Sequence, residues 1–198
     1  MFGLALVSGR IVALIVVAVA VVIWLLIQVR KKIPFGFADD FGTSYVLKTK
    51  DSKKAYETYR ELKEKHSREG MVISRVFPDR LNKRYGLKGT AFLWLSYEKT
   101  ENSIDPSDLE KLEFLIHDFI SSHEGAVVLL DGVEYLILQN SFESALKFLQ
   151  SLNDRIILNG AALIIPLDPA SVEKKELSLL ERELDIYQVD YRLMRFFE

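Results

Sequence analysis

Apolar positions fall into two regimes along this chain. Near the N-terminus they form one unbroken block; from residue 44 onward short apolar runs alternate with stripes at helical spacing. Ile11 to Ile27 is seventeen consecutive apolar residues. With Gln28 and Val29 as its exit it spans about 28 Å as a helix, close to the hydrocarbon thickness of a bilayer. Ala18-Val19-Ala20 has the small-x-small form of a signal cleavage site, but the apolar block continues from Val21 to Ile27, where a mature chain should turn polar. The block therefore reads as an uncleaved transmembrane anchor. Arg30, Lys31 and Lys32 follow it directly, and the positive-inside bias puts the N-terminus outside and the rest of the chain in the cytoplasm.

The second regime predicts alternating strands and helices. Ser44 to Lys48, Met71 to Arg75, Ala91 to Ser96 and Ala161 to Ile165 read as strands. Asp51 or Ser52 caps a helix reaching about His66, with Ala55, Tyr59, Leu62 and His66 on one face. Pro78-Asp79 opens a short helix that stops at Gly86. Asp105-Pro106 and Asp168-Pro169 each look like a cap followed by a first-turn proline, opening helices with Leu109, Leu112, Ile116, Phe119 and Ile120 on one stripe, and with Leu177, Leu180 and Leu184 turned inward. Between them a short helix, Glu134 to Gln139, leads to a longer one from Ser141 to Asn159, with Phe142, Ala145, Leu149, Leu152 and Ile156 at helical spacing. The most apolar run is Ala126 to Leu130, which ends in Asp131-Gly132. A run this short and without alternation is a strand buried on both faces, and ligands of such sheets bind beyond the carboxyl ends of their strands.

These elements imply an α/β domain of three layers with a mostly parallel sheet, preceded by one transmembrane helix. The expected organisation is an anchor over residues 1–32, a linker over 33–42, the α/β domain over 43–185 and an aromatic C-terminal tail over 186–198. The linker holds Phe35, Phe37 and Phe41, whose resting place the pattern leaves open.

Composition narrows the chemistry. The chain has no cysteine, which removes disulfides, thiolate catalysis and cysteine-based zinc sites. Residues 1–32 carry +4 of a total of −2, leaving −6 on residues 33–198. A net acidic domain without a basic stripe is a poor nucleic-acid binder. His66, His117 and His123 are the only histidines, and His117 and His123 do not share a helical face, so no metal site is expected. No G-x-S-x-G motif is present, and Ser74 and Ser96 read as strand-end residues. Asp105, Asp131, Glu134 and Asp168 could gather at one sheet edge as a carboxylate group, although capping accounts for Asp105 and Asp168.

An apolar strand ending in an acid is half of a nucleotide-hydrolysis pattern. The other half is a phosphate loop, G-x-x-x-x-G-K-[ST], after the first strand. That position holds Lys48-Thr-Lys-Asp-Ser-Lys-Lys-Ala55, with no glycine to form the anion nest. Lys50, Lys53 and Lys54, with Asp131, are what remains as a weak cofactor-binding set.

Several segments carry a family resemblance: Ile104-Asp-Pro-Ser-Asp-Leu109, Val127 to Leu136, Phe148-Leu-Gln150, Leu177 to Leu184, with Tyr85-Gly86, Trp94-Leu95-Ser96 and Ile164 to Pro169. Together, over roughly residues 42–185, they resemble the archaeal domain-of-unknown-function family eight-three-five. The resemblance implies an archaeal protein, often tethered to a membrane, and brings no established activity. More distantly, the order of elements is similar to RecA-like ATPases of the KaiC type, without their phosphate loop. The expected function is a non-catalytic, membrane-tethered cytoplasmic module that binds an unidentified protein or itself, with the tail from Tyr187 to Phe197 as a candidate contact and no cofactor. The alternative is a degenerate nucleotide-binding domain using Asp131 and the three lysines.

Overall fold

The structure is a computed structural model, and it describes Val21 and residues 41–187. The expected anchor apart from Val21, most of the linker, and the tail beyond Tyr187 lie outside the described residues. Among the described residues no helix is long and apolar enough to cross a membrane.

Among the described residues seven strands form one sheet. In chain order they are β1 (Thr43–Lys48), β2 (Gly70–Ser74), β3 (Thr90–Leu95), β4 (Ser103–Ile104), β5 (Val127–Asp131), β6 (Ala162–Leu167) and β7 (Asp185–Tyr187). Their order across the sheet is β4-β3-β2-β5-β6-β1-β7, and every pairing between neighbours is parallel. The fully apolar run therefore occupies the middle of the sheet. Among the described residues of the sheet domain six helices connect the strands: α1 (Ser52–Lys65), α2 (Pro78–Tyr85), α3 (Leu109–Ser122), α4 (Val133–Gln139), α5 (Phe142–Leu158) and α6 (Lys174–Glu183).

Strand periodicity divides the core. Successive side chains of β5 point to opposite faces. Val127 and Leu129 join a cluster with Ala55, Tyr56, Tyr59 and Leu62 of α1 and Leu81 of α2. Val128 and Leu130 join the larger cluster, with Leu112 and Ile116 of α3, Leu136 of α4, Leu149 and Leu152 of α5, and Leu180 of α6. Two helices thus cover one face of the sheet and four cover the other. By the same alternation Asp131 follows Leu129 and Ser74 follows Val72, so both point to the face that carries α1.

Two expected helix starts move. Asp105 does not cap α3. Its carboxylate accepts from the backbone N–H and the hydroxyl of Ser107 (2.8 and 2.6 Å), which closes a turn, and Asp108 supplies the cap by accepting from Lys111 N at 3.0 Å. Asp168 likewise accepts from Ala170 N within a turn (2.9 Å), and α6 begins later, where Glu173 and Glu176 form a reciprocal capping box. Two short edge strands were not expected: β4, and β7, which takes Ile186 and Tyr187 into the sheet beside β1. Of the linker phenylalanines, Phe41 packs on the α1 cluster and meets the His66 ring edge-on at 5.2 Å.

Candidate functional site at the carboxyl edge of the sheet

Because all pairings are parallel, every strand ends at the same edge. There the turn from β1 to α1 is closed by its own side chains. Asp51 N donates to Thr49 Oγ1 at 3.0 Å, and the Thr49 hydroxyl donates back to the Asp51 carbonyl at 3.1 Å. The Asp51 carboxylate then accepts from Lys53 N at 2.9 Å and caps α1. A helix N-terminus attracts anions through its free N–H groups and its dipole. At α1 the anion is the chain's own acid.

Asp131 stands across this turn, half-buried at the end of β5. Its Oδ2 accepts from Tyr56 Oη at 2.6 Å and from Ser74 Oγ at 3.3 Å, and its Oδ1 accepts from Ser52 Oγ at 3.3 Å. Ser52 and Tyr56 lie four apart on α1 and so project from one face of it. Ser74 is the register partner of Asp131 on the neighbouring strand. A carboxylate accepting three hydroxyls in a partly buried setting is a structural tie among β5, β2 and α1.

This tie sets the tyrosine chemistry. Tyr56 is 1% exposed. Burial first, and then the Asp131 charge, push its phenol far above the ordinary tyrosine value. Burial does the same to Tyr59. A group whose folded pKa is raised contributes stability below its unfolded pKa, and that stability is lost as pH rises beyond it. Above about pH 10 the unfolded chain ionises and the folded one does not, so each tyrosine removes about 1.4 kcal/mol per pH unit. Urea unfolding of Tyr56→Phe from about pH 9 to 11 should show a slope shallower by one such increment. Identical slopes in the two proteins would remove the raised Tyr56 phenol from the account.

The remaining acids do not assemble. Glu134 accepts from Asp168 N at 3.0 Å and so holds the turn after β6, while Asp105 and Asp168 hold their own turns. Among the described residues no three His, Asp or Glu side chains are grouped as a metal would require. The buried Ser74 and Ser96 hydroxyls accept from Val76 N and Glu98 N, both at 3.1 Å. Lys48, at the end of β1, pairs with Glu181 of α6.

The three lysines separate in role. Lys50 is exposed. Lys54 is partly buried, and that burial lowers its pKa. Lys53 pairs with Glu57 at 3.6 Å and opens onto a cleft of about 340 Å³, lined also by Tyr56, Arg60, Arg84 and Tyr85. Tyr85 stacks on Tyr56 with ring centroids 4.2 Å apart and planes within 6°. Arg84 lies over Tyr85 at 5.2 Å, and Arg60 donates to the Tyr85 carbonyl at 3.4 Å. Tyr56, Arg60 and Arg84 were not singled out from the sequence, and Tyr85 entered only with Gly86 as part of the family resemblance. The spacing of Ser52 and Tyr56 on the first helix was the signal available for one of them.

The chain matches the family described as "Protein of unknown function (DUF835)" over residues 48–184 and belongs to it. Its fold is similar to that of the flagellar accessory protein FlaH from Methanocaldococcus jannaschii, with a TM-score of 0.56 at 13% identity, covering 78% of this chain and 74% of that one. It is also similar to the KaiC-like protein PH0186 from Pyrococcus horikoshii OT3, with a TM-score of 0.56 at 11% identity, covering 77% and 78%. At these identities the likeness is one of fold. No curated protein matches the chain.

Proposed function

We propose that this DUF835 member is a non-catalytic module of archaeal origin, held at the cell membrane by its N-terminal apolar segment, whose cytoplasmic α/β domain binds another protein. The observation that carries this reading is the state of the carboxyl edge. The N-terminus of α1 is capped by Asp51, and Asp131 is engaged by three hydroxyls, so the groups that would meet a phosphate and its cation are already satisfied by the chain. The apolar block Ile11 to Ile27 supports tethering through its length, and Arg30 to Lys32 support the cytoplasmic side. Crosslinking of the intact protein in native membranes, followed by its purification, tests the reading. The expected result is a reproducible partner protein, or a second copy of the chain; recovery of the chain alone sinks it.

A second reading, a degenerate nucleotide-binding domain, is favoured by one observation. Lys53, Arg60 and Arg84 bring three cations to a cleft that has an aromatic wall at Tyr85 and joins Asp131 through Tyr56. It departs from the expected arrangement, because of the three lysines only Lys53 lines this cleft. In this reading a nucleotide-induced stabilisation is lost in Arg60→Ala/Arg84→Ala and survives in Lys50→Ala; survival in both removes the cleft.

A further inference from the structure

A second concavity opens at the same sheet edge, over β2 and β3. It has a volume of about 520 Å³ and is lined by Arg75, Val76, Phe77, Arg80 and Trp94. Three of its five lining residues are apolar or aromatic. Val76 and Phe77 are adjacent in sequence and each 42% exposed, so both present apolar surface to the groove. Phe77 meets the Trp94 ring edge-on at 5.1 Å. The walls are fixed from behind: Trp94 Nε1 donates to the Arg75 carbonyl at 3.0 Å, and the Arg75 guanidinium donates to the Leu95 carbonyl at 3.3 Å and lies 4.7 Å over the Tyr135 ring. Such a groove is preorganised, and its residue types are those that dominate binding energy in interfaces.

The local sequence bears a cost for it. Phe77 is the N-cap of α2 and makes no side-chain capping bond, where Ser, Thr, Asp or Asn would stabilise the helix. A bulky aromatic at that position leaves the first turn uncapped and places a ring in the groove.

The charge names the partner. The domain is net acidic, yet the groove is lined by two arginines and no carboxylate. Among the described residues Arg80 has no carboxylate partner. Building on the protein-binding function proposed above, we infer that this groove docks an acidic-apolar peptide segment of a partner protein. A large apolar side chain of that segment enters between Phe77 and Trp94, and a neighbouring carboxylate meets Arg80. A concave groove favours an inserted side chain over a flat lipid surface.

Trp94 reports occupancy directly. The chain has two tryptophans, so Trp24→Phe in the full-length protein in detergent micelles leaves Trp94 as the sole emitter. The probes are a synthetic peptide rich in Glu, Asp, Leu and Phe, and the same peptide with Lys in place of its acids. The acidic peptide should shift Trp94 emission saturably, the lysine version should not, and Arg80→Glu should weaken binding about tenfold. Phe77→Ser should abolish the shift while keeping α2, since serine is a better cap. Absence of a shift, an equal shift with both peptides, or an undiminished affinity in Arg80→Glu overturns the inference. So does a Trp94 shift produced by anionic lipid vesicles, or by raising the protein concentration alone, which would assign the groove to a membrane or to a second copy. These outcomes differ from failure of the proposed function, in which the intact protein brings no partner from membranes at all.

Discussion

Asp131→Ala is expected to cost the domain about 3 kcal/mol, read as a fall in the urea midpoint of the full-length protein at neutral pH. The cost has identifiable sources. Tyr56 Oη, on a side chain 1% exposed, loses its 2.6 Å acceptor. Ser74, 2% exposed, loses one as well. A buried donor left without a partner bears its full desolvation penalty, and bonds to a charged acceptor are stronger than neutral ones. Asp131→Asn keeps one oxygen for Tyr56 and should cost about 1 kcal/mol. The sign separates two roles for this acid. A carboxylate held ready for a cation or substrate is commonly a site of strain, and its removal often stabilises a protein. A neutral or stabilising Asp131→Ala would therefore contradict the structural role given to it here.

Gly70→Ala should be nearly as damaging, at about 3 kcal/mol, the upper end of the usual range for overpacking. The added methyl would stand 2.0 Å from Tyr59 Oη and 2.8 Å from Tyr59 Cζ. Tyr59 is fully buried, and its hydroxyl is within 3.2 Å of Thr90 Oγ1, so retreat would disturb both its packing and that contact. Glycine is required here by the approach of a side chain rather than by backbone conformation. The double variant with Tyr59→Phe removes the atom in closest conflict and should recover part of the loss, measured as a coupling energy in a double-mutant cycle. Additive costs would contradict this packing account.

Much of the fold was legible because apolar runs and helical stripes are local signals. The unbroken run of β5 announced a central strand, and Leu112, Ile116 and Ile120 of α3 and Leu149, Leu152 and Ile156 of α5 lie inward as their spacing requires. The displaced helix starts show where local reading stops. Asp105-Pro106-Ser107-Asp108 offers two acids that can cap, and the choice fell to Asp108 because Asp105 is engaged by both donors of Ser107. At Asp168 the cap-plus-proline pattern is real chemistry used to close a turn, and the capping box of Glu173 and Glu176 starts the helix. The two residues of β4 and three of β7 are too short to show any period.

The candidate site was legible only in part. Asp131 was marked by its position after β5. Its partners come from residues 57 to 79 positions away, and no local pattern joins them. The phosphate loop could be seen to be missing, since its glycines would be a local feature. What stands in its place, an acid on the helix N-terminus and a hydroxyl cage around the strand-end carboxylate, needed the fold. The groove at Phe77 and Trp94 escaped for the same reason: a phenylalanine before Pro78 reads as an ordinary apolar residue until its exposure is known.

The central claim is that the carboxyl edge of this sheet, in a fold similar to that of a KaiC-like protein, is closed by the chain's own side chains, with Asp51 on the α1 N-terminus and three hydroxyls on Asp131. Thermal unfolding of the full-length protein with millimolar ATP or GTP and magnesium tests it most directly. A ligand present at 100 times its dissociation constant adds about 2.7 kcal/mol of stability. The account predicts no change in the unfolding midpoint with either nucleotide. A saturable rise that disappears in Asp131→Asn would contradict it.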